Sequence, residues 1–172
     1  MTTVEITLDP MTEEEFAAWL EPTVRVYAQH HVDVGDWSEQ DALRFAITEF
    51  KVLLPQGVRS DQQHLFTVRP AAGGAGVGML WIGMKLRAGE LDAFVYKVEV
   101  DEEHRGKGYG RATMLAGAQR ARELGARTMS LHVFGFNTTA RALYSSLGFV
   151  ETNVNMSLSL AADGRGASDV TA

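Results

Sequence analysis

Two early stretches of the chain repeat apolar residues every three or four positions, and most of the remainder alternates them. In the first stretch Phe16, Trp19, Leu20, Val26 and Tyr27 recur at helical spacing. Thr12 stands ahead of them as a cap, with Glu15 placed where a capping-box carboxylate reaches back. Pro22 falls inside this run and is expected to bend or break it, because proline lacks the amide hydrogen a helix interior uses. After the polar loop "HHVDVGDWS", Ser38 caps a second helix whose apolar face carries Ala42, Leu43, Phe45, Ile47 and Phe50. That helix closes near Pro55-Gln56-Gly57.

The period then shortens to two. "HLFTV", closed by Pro70, "VGMLWIGMKL" and "LDAFVYKVEV" read as three strands joined by the turns "AAGGAG" and "RAGE", close enough in sequence for an antiparallel meander. The opening "TVEITL" supplies a first strand. From Ala93 onward the order is strand, helix, strand, helix, strand. "RATMLAGAQRAREL" closes at Gly125, "TMSLHVF" is a strand, "NTTARALYSSL" is capped by Asn137 and closed by Gly148, and "FVETNVNMSLSL" is a final strand. So short a strand–helix–strand unit implies parallel strands with a right-handed crossover. The fold class is therefore α/β (α+β), one domain with a mixed, mostly antiparallel sheet and helices on its flanks. Residues 1–160 form that domain, and 161–172 lack apolar pattern and are expected to be a mobile tail.

Composition narrows the function. With 172 residues, 45% hydrophobic and 22% charged, the chain has an ordinary globular make-up. It contains no cysteine, which removes disulfides and thiolate metal sites. No apolar run approaches the ~20 residues of a membrane span and no secretion signal opens the chain, so a cytoplasmic location without membrane attachment is expected. A formal net charge of −6 argues against nucleic-acid binding.

One stretch carries chemistry. "HRGKGYGRATM" sets Gly106, Gly108 and Gly110 between a strand and a helix, among Arg105, Lys107 and Arg111. Alternate glycines bare the amides of a turn, and bare amides at a helix start attract an anion. A kinase-type phosphate loop needs Lys-Ser/Thr after its last glycine, but Arg111-Ala112 follow Gly110. A dinucleotide fingerprint needs a third glycine where Arg111 stands and an acid near the next strand, and "SLHVFGF" has none. Read from Arg105 through Gly108 to Gly110, the turn matches an Arg/Gln-x-x-Gly-x-Gly/Ala acyl-CoA signature.

On "VEVDEEHRGKGYGRA", then "LHVFGFNTTARALYSSLGF" and the closing strand, the chain resembles the GNAT superfamily of acyl-CoA-dependent N-acyltransferases, from the first helix to Leu160. The resemblance implies that the parallel strands ending at Val100 and near Phe134 splay apart. A pantetheine arm would then bond the main chain of Val98 and Val100, with the pyrophosphate on the amides of Arg105, Gly106, Lys107, Gly108, Tyr109, Gly110 and Arg111. Asn137 stands where the family bonds pantetheine or nearby backbone. Tyr144 stands where a tyrosine hydroxyl meets the thioester sulfur. The implied reaction is direct attack of a primary amine on acetyl-CoA, with no metal. The amine is a small molecule or, alternatively, a protein N-terminus or lysine; a non-catalytic acyl-CoA sensor is the other-class reading. A homodimer is one candidate assembly.

A base for the amine's proton is sought on the strand ahead of the turn. Alternation puts Phe94, Tyr96, Val98 and Val100 on one face, and Val95, Lys97 and Glu99 on the other. The family's glutamate position aligns with Phe94, which leaves Glu99 as the nearest carboxylate, beside a water chain as the other route. Glu99 also reads as a residue salt-bridged to Lys97, and His132 as a strand-face histidine. His30-His31 lack a ligand set for metal, "AAGGAGVG" is a hairpin turn, and Trp19, Tyr27, Trp37 and Phe45 read as core before they read as an acceptor pocket.

Overall fold

The structure, a computed structural model, describes residues 4–158 and 160. The chain divides into two compact units, residues 1–131 and 132–172. The expected tail, 161–172, lies outside the described residues.

In the first unit β1 (Ile6–Pro10) leads into α1 (Glu13–Asp33), whose start has the expected capping box: Thr12 Oγ1 accepts from the Glu15 amide, and Glu15 accepts from the Thr12 amide. The helix runs on through Pro22, so the expected break does not occur. Proline removes one amide donor, to the carbonyl of Ala18, but the turns on either side are held by their own bonds and by packing. Ser38 caps α2 (Glu39–Leu53), a 3₁₀ turn spans Gly57–Arg59, and then come β2 (Gln63–Pro70), β3 (Gly78–Arg87) and β4 (Glu90–Val100). A second 3₁₀ turn, Glu102–His104, precedes α3 (Tyr109–Glu123) and β5 (Thr128–Leu131).

The sheet order is β1-β2-β3-β4-β5, antiparallel throughout except for the parallel pair β4–β5. One side of it packs on α1 and α2: Leu65, Met79 and Trp81 join Val24, Ala28, Ala42, Ala46 and Phe50. Trp81 is 3% exposed and meets Trp19 edge-on at 6.0 Å, so this one side chain contributes about 2–3 kcal/mol of burial. The other side packs on α3, where Gly117 lies so close that a Cβ there would sit 2.7 Å from Leu80 Cδ2.

Strand alternation is broken once. Trp81 pairs with Lys97 and Ile82 with Val95, so Tyr96 is an extra residue in β4, a β-bulge. Cross-strand partners share a face. Phe94, Tyr96, Lys97 and Glu99 therefore lie together on the α1/α2 side, while Val95, Val98 and Val100 face α3. This corrects the alternation read from sequence, which grouped Val98 and Val100 with Phe94 and Tyr96.

In the second unit α4 (Thr138–Ser146) begins at Asn137, whose Oδ1 accepts from the Ala140 amide at 3.1 Å. Arg141 ion-pairs with Glu151 and donates to the Gly135 carbonyl. The strand expected over "FVETNVNMSLSL" is not formed: residues 149–158 and 160 have no regular structure, and Val150 and Met156 are 80% and 92% exposed. A strand exists only with a ladder partner, and none of the described residues pairs with this segment. The strand expected over "TMSLHVF" likewise ends at Leu131.

Candidate functional site

The edge of β4 and the glycine turn after it form one continuous surface. The β4–β5 ladder runs from Asp92↔Thr128 to Val95↔Leu131, and β4 continues five residues beyond it. The direction of the polar groups there follows from two contacts. The Asp101 amide donates to the Val77 carbonyl on the β3 side at 3.0 Å, and a Cβ on Gly78 would lie 2.2 Å from the Glu99 carbonyl oxygen. Residues 99 and 101 thus address β3, and alternation turns the amides and carbonyls of Val98 and Val100 to the opposite side, past the end of β5.

Arg105 ties the turn to that strand, and Lys107 ties it to the 3₁₀ turn that follows the strand. Arg105 Nε donates to the Val100 carbonyl at 3.0 Å, and Lys107 Nζ donates to the Glu103 carbonyl at 2.7 Å. Gly106 and Gly108 have φ of +71° and +92°, left-handed values that side chains rarely adopt. Gly110 instead is helical, the second residue of α3. Thr12, Ser38 and Asn137 cap the other three α-helices with side-chain oxygens, whereas Gly108 gives α3 no side-chain cap. The first amides of α3, at Tyr109 and Gly110, therefore open at the turn with the positive end of the helix dipole behind them. His104 meets the Tyr109 ring at 5.7 Å and Glu103 Oε1 at 3.2 Å.

Glu99 is ion-paired: its Oε2 lies 3.0 Å from Lys97 Nζ, and its side chain is 43% exposed. Asn137 and Tyr144 belong to the second unit, on α4. Asn137 is its exposed cap; Tyr144 is half-buried, 5.7 Å from the Phe149 ring, and burial pushes its hydroxyl pKa above the ordinary tyrosine value.

The aromatics weighed for an acceptor pocket divide. Trp19 belongs to the core with Phe16, Phe50 and Trp81. Tyr27 donates to Glu49 at 2.7 Å, and burial, then this carboxylate, raise its pKa. Trp37 stacks on His31 at 4.1 Å, and His31 Nδ1 meets Asp36 at 3.0 Å. A cleft of about 540 Å³ between α1 and α2, lined by Leu20, Val24, Leu43, Ile47 and Phe50 with Glu21, Arg25 and Lys51 among them, is mostly apolar and shares no residue with the glycine turn. Among the described residues no cluster of three or more His, Asp or Glu side chains is set to hold a metal, and no helix is long and apolar enough to cross a membrane.

Sequence reasoning missed the bulge at Tyr96 and the bracing of Val100 by Arg105. One signal for the bulge was present: Gly83, an isolated glycine inside a strand. A Cβ there would lie 2.5 Å from the Tyr96 ring, so glycine makes room for the extra residue across the ladder.

Residues 25–149 match the family described as acetyltransferase (GNAT) family. The chain is 40% identical over 155 residues to the uncharacterized N-acetyltransferase YycN of Bacillus subtilis, covering 90% of this chain and 99% of that protein. The crystal structure of YycN matches with a TM-score of 0.83 over 91% of this chain and 99% of that one, at 39% identity. A mycothiol acetyltransferase of Thermobispora bispora is 35% identical over 153 residues, which is 87% of this chain and 47% of that protein. With more than half its length matched by the family and a full-length relative at 40% identity, the chain belongs to the GNAT acetyltransferase family.

Proposed function

We propose that the chain transfers an acetyl group from acetyl-CoA to a primary amine by direct attack on the thioester. The observation that carries this reading is the uncapped start of α3 placed straight after a strand whose outer polar groups outrun their neighbour. Acetyl-CoA supplies the acyl group already activated as a thioester. The residues present fit such a co-substrate: the amides from Gly106 to Arg111 suit a pyrophosphate, and the outer edge at Val98 and Val100 suits an amide-bearing arm added like a strand. Lys107 keeps two further N–H donors for phosphate beyond the one it gives to Glu103.

Each remaining role falls to this chain. The amide of Val98 or Val100 is the donor for charge developing on the carbonyl oxygen. Tyr144, a phenol protonated at neutral pH and pushed by burial still further from ionising, is the donor for the departing sulfur. Glu99, or water ordered near it, takes the proton of the amine. Tied to Lys97, Glu99 is held in one place on the strand face where Phe94 and Tyr96 also lie.

The test has two arms. Acetyl-CoA is expected to raise the melting temperature without added divalent metal, and ATP or NAD to raise it far less at equal concentration. Free-thiol release is then followed across primary amines and peptides. Protection by ATP that depends on Mg²⁺ and equals that of acetyl-CoA would sink the acyl-CoA reading. Acetyl-CoA binding with no thiol release on any amine would leave only a sensor.

A further inference from the structure

The sheet face that carries Glu99 holds one more cluster. Lys85 Nζ lies 4.6 Å from the centroid of the Phe94 ring and 4.7 Å from that of Tyr96. These rings meet edge-on at 4.9 Å, and Tyr96 stacks on Trp81 at 4.5 Å. Trp81 is in turn fixed by its indole N–H, which donates to Gln63 Oε1 at 2.7 Å. The platform is therefore built from strand residues in fixed positions, and both of its rings are partly exposed.

The charges on this face are unevenly matched. Lys97 is met by Glu99. Asp92, the register partner of Lys85, is 4% exposed and accepts from the hydroxyls of Thr128 and Ser130, each at 2.6 Å. Among the described residues no carboxylate ion-pairs with Lys85; its ammonium is held by ring faces. A ring face attracts a cation but does not take up its N–H donors as an oxygen would, so those donors remain for an anion.

We propose that Lys85, seated on Phe94 and Tyr96, is the specificity-determining residue of the acceptor site, and that it selects a primary amine that also carries a carboxylate or similar anionic group. This rests on the acetyl-transfer reading above. Phe94, Tyr96 and Glu99 lie on one face of β4, and Tyr96 precedes Val98 by two residues, about 7 Å at the rise of a strand. An amine that reacts beside Val98 and lies back along the strand has its body over the two rings and its far end at Lys85. A second ammonium on the acceptor would have to displace Lys85 from the rings, and a neutral tail would leave its donors unused.

The test compares matched pairs: 4-aminobutyrate, 5-aminopentanoate and 6-aminohexanoate, each against the amine lacking the carboxylate, at saturating acetyl-CoA. The acid is expected to show kcat/KM about tenfold higher than its partner. Lys85→Gln should abolish that preference through KM rather than kcat, and Lys85→Arg should keep it. Amines turned over without acid preference, or a preference that survives in Lys85→Gln, overturn the proposal. If no amine is acetylated, the acetyl-transfer reading fails, and calorimetry with the same pairs decides the site separately. Binding of an amino acid that is lost in Lys85→Gln supports it, and no binding to the parent overturns it.

Discussion

Tyr144 is the residue whose role is most open to a single experiment. Its ring packs against Phe149 and its hydroxyl titrates above the ordinary tyrosine range because burial disfavours the phenolate. Tyr144→Phe keeps the ring, so the melting temperature is expected to move by no more than about 2 °C and acetyl-CoA affinity to hold within about twofold. The rate with an accepted amine is expected to fall about 10- to 100-fold in kcat, since the lost donor matters most as charge builds on sulfur. The sign of the pKa shift adds a condition: any loss of activity from deprotonating Tyr144 is expected only above the ordinary value of about 10. A variant that turns over at the parent rate, with chemistry shown to be limiting, would exclude Tyr144 as the acid.

At the scale of elements, the turn into α3 is where sequence and structure agree most closely. Its glycines, its basic neighbours and the strand ahead of it were all legible, because each is a local property of a few adjacent residues. The helix caps at Thr12, Ser38 and Asn137 were legible for the same reason. The bulge at Tyr96 was not, since Tyr96 is an ordinary strand residue and the signal sits in Gly83 on the neighbouring strand. The closing strand over 149–160 was over-read: period two states which side chains would share a face, not whether a ladder partner exists. For the turn itself, Gly108→Val puts a β-branched side chain at φ +92° with Val4 Cγ2 3.3 Å from its Cβ. A cost of about 1–3 kcal/mol and a loss of acetyl-CoA affinity of at least about tenfold are expected, read by thermal melts and calorimetry. A folded variant with parental affinity would show that this turn is not the phosphate cradle.

Across the whole molecule, stability in acid is expected to follow two groups. Glu15 ties the start of α1 to β2: it accepts from the Thr12 amide and the Thr67 hydroxyl, each at 2.9 Å, and ion-pairs with Arg69. The Thr12 amide first, then Thr67 and Arg69, against an opposing effect of burial, hold its pKa below the ordinary value of 4.5. A lowered carboxylate pKa stabilises fully above that ordinary value and loses its contribution as pH falls through the folded one. His64 is lowered by burial and then by the Arg120 charge, so its neutral form is favoured, and stability declines as pH drops below 6.5. Urea melts between about pH 7 and pH 3 are expected to show both declines. Glu15→Gln should flatten the lower one and cost about 1 kcal/mol at neutral pH. A lower limb unchanged in Glu15→Gln would assign the acid sensitivity to other carboxylates.

The extra residue in β4 also separates two things that substitutions always change together. Removing Tyr96 from the chain, rather than replacing it, would leave Lys97 opposite Trp81 and Val95 opposite Ile82 as adjacent residues of a regular ladder. Phe94, Lys97 and Glu99 would stay on the α1/α2 side, and Val95, Val98 and Val100 on the other. Only the bend and one aromatic ring would go. A one-residue gap at this point in a relative's sequence therefore marks a straightened strand with the same residues still facing the same way, not a scrambled site.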